Sequence, residues 1–201
     1  MSRSKGFTLV ELLVAVAIFA IMSGFAYRGL TAMLDSREAL QKESRKWRDV
    51  ALFVGRVERD LAAALPRRAI GASGTPLAPL SSAIDGSGAS EGLALTRAGS
   101  PIMENILSAP QRVAYRLREG RVERLTWSGV DAGPREEPAA LAILGAVQGL
   151  AFRFLDGKNG EWRTGWGLPG SAEGTFPAAV EMTLTLASGE KVVRLVDLPP
   201  S

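Results

Sequence analysis

Between Leu12 and Tyr27 the chain runs without a charged residue, LLVAVAIFAIMSGFAY, and this stretch constrains the fold more tightly than any other. As a helix rising ~1.5 Å per residue, Phe7 to Tyr27 covers roughly 31 Å, enough to cross a hydrocarbon core. Tyr27 and Arg28 suit the far interface, where an aromatic ring anchors and an arginine snorkels. A secretory signal has a basic start and an apolar middle, followed by a small-residue cleavage site after the run. Here Arg28-Gly29-Leu30-Thr31-Ala32-Met33-Leu34-Asp35 stays compatible with helix, and the punctuation falls ahead of the run, at Gly6. A cut there removes residues 1–6, including Arg3 and Lys5, and leaves the apolar helix on the mature chain.

Glu11 is the residue out of place. A carboxylate near the centre of a membrane helix costs about 2.5–3.5 kcal/mol on insertion scales, and less near an end. Cleavage after Gly6 would place it in the first turns of the helix, where the macrodipole favours an anion, close to a new amine on Phe7. Read alone, it is an acidic residue tolerated near the interface of a single-pass anchor. In the setting Gly6-Phe7-Thr8-Leu9-Val10-Glu11 it reads as a docking charge, because a membrane carboxylate gains most by meeting an ammonium.

Lys5-Gly6-Phe7-Thr8-Leu9-Val10-Glu11-Leu12-Leu13-Val14 resembles the leader and first helix of type IV pilins and type II secretion pseudopilins. The resemblance implies that a prepilin peptidase cuts between Gly6 and Phe7 and that Phe7 is N-methylated. It also implies that Glu11 pairs with the terminal amine of a neighbouring subunit during assembly. It carries no cofactor.

Composition narrows the chemistry. The formal charge of +3 comes from 24 basic and 21 acidic residues; without Arg3 and Lys5 the count is 22 against 21, or +1. The basic residues are scattered, which argues against a nucleic-acid partner. The chain has no cysteine and no histidine, so it offers no thiolate metal site and no Ser-His or Cys-His pair. Gly88-Ala89-Ser90-Glu91-Gly92 spells a nucleophile elbow, but without a histidine that spelling is chance. The expectation is a protein that is not an enzyme.

Four segments follow: a leader at 1–6, a transmembrane and assembly helix at 7–33, an amphipathic helix at 34–66 and a β-rich domain at 67–201. In the second helix Leu40, Trp47, Val50, Phe53 or Val54, Val57, Leu61 and Leu65 recur at three- and four-residue steps, and Pro66 ends the run. The stripe Trp47, Val54 and Leu61 is the candidate partner-facing surface. Residues 67–92, rich in Gly, Pro, Ser and Ala, read as a loop. Beyond them, alternation predicts strands at 93–97, 113–117, 122–127, 150–155, 180–186 and 191–196, with hairpin turns at Glu119-Gly120 and Ser188-Gly189. The fold class is therefore α+β, a long helix packed on a mostly antiparallel sheet. Asp156, Asn159 and Glu161 are weak candidates for a calcium site, since Asp-Gly and Asn-Gly are also turn chemistry. Trp162, Trp166 and Phe176 either cover a sheet face or form a contact surface.

Further motifs resemble the GspJ branch of the minor pseudopilins: Ala26-Tyr27-Arg28-Gly29-Leu30, Glu58-Arg59-Asp60-Leu61, Gln111 to Leu117, Leu150 to Asp156, and Pro177 to Glu181. The branch implies membership of a tip complex with GspI and GspK that caps a pseudopilus and starts its assembly. GspH, the major pseudopilin GspG, the prepilin peptidase and secreted substrates are further candidate contacts. It places the anchor in a bacterial inner membrane and the C-terminal domain in the periplasm. A minor pilin of a type IV pilus or DNA-uptake system is the alternative left open.

Overall fold

The computed structural model describes residues 8–84, 91–99, 101–103, 106–107, 109–131, 133, 136–168 and 176–198. The chain divides into two units, Met1–Asp49 and Val50–Ser201. Helix α1, Leu9–Ala62, supplies the described part of the first unit and the opening of the second. Among the described residues, thirteen strands follow in the second unit: β1 (Ala69–Ile70), β2 (Pro76–Leu77), β3 (Leu80–Ala83), β4 (Glu91–Arg97), β5 (Pro101–Met103), β6 (Ile106–Leu107), β7 (Gln111–Arg118), β8 (Arg121–Thr126), β9 (Ala139–Leu144), β10 (Val147–Leu155), β11 (Trp162–Arg163), β12 (Ala179–Leu186) and β13 (Lys191–Asp197).

The second unit has two principal sheets rather than the single one expected, ordered β3-β4-β7-β8-β9 and β11-β10-β12-β13, with every pairing antiparallel. The predicted hairpins are both present. Arg118 pairs with Arg121 across Glu119 (φ 50°) and Gly120 (φ 72°), two left-handed residues that match the right-handed strand twist. Gly189 (φ 97°) sits in the β12–β13 turn.

The C-terminal part of α1 presents Val50, Phe53, Val57 and Leu61 to a core shared by both sheets. Leu93, Leu95, Val113, Tyr115 and Val122 close it from one side, and Phe152, Phe154, Val180, Met182 and Leu184 from the other. Each such side chain contributes about 1.5–3 kcal/mol on leaving water. The Phe53 and Tyr115 rings meet edge to face, 6.2 Å apart at 73°. Gly92 is required at its place in β4, because a Cβ there would lie 2.2 Å from the Tyr115 carbonyl oxygen.

The structure departs from the sequence expectation elsewhere as well. Helix α1 stops at Ala62, ahead of Pro66, because the sheet captures the chain: the Leu65 amide donates to the Thr96 carbonyl at 2.9 Å, and Ala64 bridges to Arg97. The segment read as loop holds β1, β2 and β3, where Ala69, Leu77 and Leu80 are buried despite the Gly, Pro and Ser around them. Strand β9 was not foreseen, since its alanine-rich sequence does not alternate. Residues 88–90 of the Gly-x-Ser-x-Gly spelling lie outside the described residues.

Candidate functional site

Gly6 and Phe7 lie outside the described residues, which begin one position later at Thr8. Thr8 and Glu11 form a reciprocal cap at the start of α1. Glu11 Oε2 accepts from the Thr8 amide at 3.0 Å and from its hydroxyl at 2.9 Å, while the Glu11 amide donates to Thr8 Oγ1 at 3.3 Å. Two otherwise orphaned helix amides are satisfied in this way. The spelling Thr-x-x-Glu ahead of an apolar run is a sequence signal for this arrangement, and a reading centred on intersubunit pairing passes over it. Leu9, Val10, Leu12, Leu13, Phe19, Met22 and Phe25 are all exposed along the helix. Among the described residues α1 is the one helix long and apolar enough to cross a membrane.

The proposed contact stripe divides. Leu61 is fully buried in the protein's own core, so it is withdrawn from any partner-facing surface; its position on the helix matches that of Val50 and Val57, which pack on the sheets. Val54 is half-buried against the same core. Trp47 is 41% exposed, its indole N–H donating to Glu43 Oε1 at 2.7 Å and its ring lying under the Lys46 ammonium.

Asp60 enters the sequence reading only as part of the Glu58-Arg59-Asp60-Leu61 motif, with no role assigned to it, yet it is a buried charged centre of the β-rich unit. It is 2% exposed and accepts three hydrogen bonds: from Arg97 Nη1 at 2.8 Å, Arg124 Nε at 3.0 Å and the Tyr115 hydroxyl at 2.5 Å. The donors come from β4, β8 and β7, so one helical carboxylate ties together three neighbouring strands. Burial raises the Tyr115 phenol well above its ordinary value, and the adjacent Asp60 carboxylate adds to the shift. Burial alone would lower Arg124, but Asp60 outweighs it and holds the guanidinium above its usual range. A charge on a helix face reads as solvated, so the signal for this role is weak: an acid one step from Leu61 on the buried side.

The 156–161 segment is a tight turn joining β10 to β11. Asp156 Oδ2 bridges to Arg163 at 2.8 Å, and Oδ1 accepts from the Lys158 amide at 2.9 Å. Asn159 Nδ2 donates to Glu161 Oε2 at 2.8 Å, the Glu161 amide returns a bond to Asn159 Oδ1, and Gly160 takes φ 71°. These oxygens accept from N–H groups of the turn itself and from Arg163, as turn chemistry requires. The aromatic trio also divides. Trp166 is buried against Phe154 and Phe176 packs on the core, whereas Trp162 is 38% exposed with the Arg153 guanidinium over its ring at 5.3 Å.

A membrane-length N-terminal helix that runs into an antiparallel β domain defines the class of pilin-like proteins, and residues 1–27 match the prokaryotic N-terminal methylation motif. Residues 28–198 match the family of type II secretion system protein J, and the chain belongs to that family. It is 30% identical to a type II secretion system protein J of Klebsiella pneumoniae over 200 residues, 98% of this chain and 96% of that one. It is 31% identical to one of Escherichia coli over 191 residues, covering 92% of this chain and 91% of that one. In the crystal structure of the GspK-GspI-GspJ complex from enterotoxigenic Escherichia coli, a chain superposes with a TM-score of 0.62 at 27% identity, covering 78% of this chain and 99% of that chain.

Proposed function

We propose that this minor pseudopilin is a subunit of the pseudopilus tip, where it assembles with GspI- and GspK-type partners to start the fibre and support export of folded proteins. The observation that carries the reading is the J-family match over 28–198 joined to the methylation motif over 1–27. The solved GspK-GspI-GspJ complex of a relative supports the choice of partners. Its work is assembly rather than catalysis, a reading supported by the lack of histidine and cysteine. The apolar part of α1 holds the protein in the inner membrane, with the β-rich unit in the periplasm. Gly6 and Phe7 are the cleavage site, Phe7 the methylated residue and Glu11 the charge that docks on a neighbour's terminal amine. Trp47 is the part of the helix stripe left to meet a partner.

The test is co-purification of the full chain with the GspI- and GspK-type pseudopilins of the same system. A stoichiometric complex is expected, together with an intact mass starting at methylated Phe7. A mature chain starting at Met1, or loss of piliation with normal secretion on gene deletion, would overturn the reading.

A further inference from the structure

Among the described residues, β3, β9, β11 and β13 end the two principal sheets, and an exposed strand edge is a template for pairing with another chain. Three of these edges are blunted. The segment around Trp166 covers β3, with the Ser82 amide donating to the Trp166 carbonyl at 2.9 Å and the Trp166 amide donating to Ser82 Oγ at 3.1 Å. Strand β11 has only 2 residues. Strand β13 carries Lys191, Arg194 and Asp197, with Arg194 bridged to Glu58 of the helix.

Strand β9 has none of these defences. Its sequence, AALAIL, holds no charge, no proline and no glycine. Residues Ala139 to Ala142 are all exposed, and because successive side chains point to opposite faces, the strand is open on both faces; among the described residues no strand pairs with its outer edge. Leu141 alone is 64% exposed. Such a strand invites aggregation unless it is normally paired. The unpaired backbone selects an extended strand as its occupant, and the uncharged side chains select an uncharged one, since a charge buried there would go unmatched. Glu137, exposed just ahead of β9, adds a carboxylate at one end of the edge.

We propose that β9 is a strand-addition site, at which the five-stranded sheet is extended by a strand of a neighbouring pseudopilin that is uncharged where it pairs with β9 and is flanked by a basic residue that meets Glu137. The proposal rests on the tip-subunit reading. The test is hydrogen exchange on the full chain in detergent, alone and with its co-purified GspI-type neighbour. Of the amides of Ala140 to Ala142, those pointing away from β8 are expected to slow by about tenfold or more in the complex. The double variant Ala140→Lys, Leu141→Lys should melt as the parent does, because both positions are exposed, while binding the neighbour about tenfold more weakly. A complex that forms with β9 exchanging at its free rate, or a double variant that binds like the parent, overturns the proposal and leaves the subunit reading intact. Concentration-dependent protection of the chain alone, with a dimeric mass, assigns the edge to a second copy and also overturns it. Failure to form any complex removes both readings.

Discussion

Replacing Asp60 with alanine should be among the most damaging single changes available in the β-rich unit. The carboxylate side chain is 3% exposed, and those of Arg97 and Arg124 are 14% and 12% exposed, so solvent screens the cluster weakly. Removing the anion leaves two guanidiniums facing each other and the Tyr115 hydroxyl without its acceptor. Breaking a buried pair from one side costs about 3–5 kcal/mol, against a total stability of about 5–15 kcal/mol for a domain. Asp60→Asn keeps the shape and one acceptor oxygen, so its loss should be smaller, about 2 kcal/mol. The assay is urea unfolding of the full chain in detergent, followed by tryptophan emission, since Trp127 and Trp166 are both buried in the β-rich unit. A double-mutant cycle of Asp60→Ala with Arg124→Ala should return a coupling within about 0.5–3 kcal/mol, near the upper end. A loss below about 1 kcal/mol for Asp60→Ala, with normal spectra, would refute the claim that this carboxylate ties α1 to β4, β7 and β8.

Three further outcomes follow from named contacts. Tyr115→Phe should flatten the alkaline loss of stability: the folded phenol titrates above its unfolded value of about 10, so its contribution is complete below that pH and is lost as pH rises through and beyond it; equal slopes for both proteins in melts from pH 8 to 11 would contradict this. Arg112 is buried opposite Thr96, donates from Nη1 to the Ala78 carbonyl at 3.1 Å, leaves Nε and Nη2 without partners among the described residues, and is lowered by burial to about 10. Arg112→Met should therefore stabilise the fold by about 1–2 kcal/mol, and a destabilisation of that size in the same urea assay would show the reasoning to be wrong. Glu11→Leu should still insert and be cut at Gly6 but fail to join the tip complex; unimpaired co-purification with the neighbouring pseudopilins would count against the docking charge.

How much was legible depends on which forces are local. The β12–β13 and β7–β8 hairpins follow from two-residue periodicity and turn chemistry, both carried by adjacent residues, and both hairpins are present. Strand β9 lacked that periodicity, because an edge open on both faces needs no alternation. Leu61 matched a helical stripe, but a stripe does not say whether it meets a partner or the chain's own sheets.

The sequence by itself determined the N-terminal helix and the single acidic residue, Glu11, in its first turn, because hydrophobic length and charge along one helix are properties of consecutive residues. The α+β class followed in the same way from a switch in period, from 3.6 to 2. Only the tertiary structure decided that there are two sheets, that Leu61 turns inward, and that Asp60 gathers Arg97, Tyr115 and Arg124. Those four residues are separated by up to 64 positions, and the gain from bringing buried charges together exists only once the surrounding side chains have excluded water.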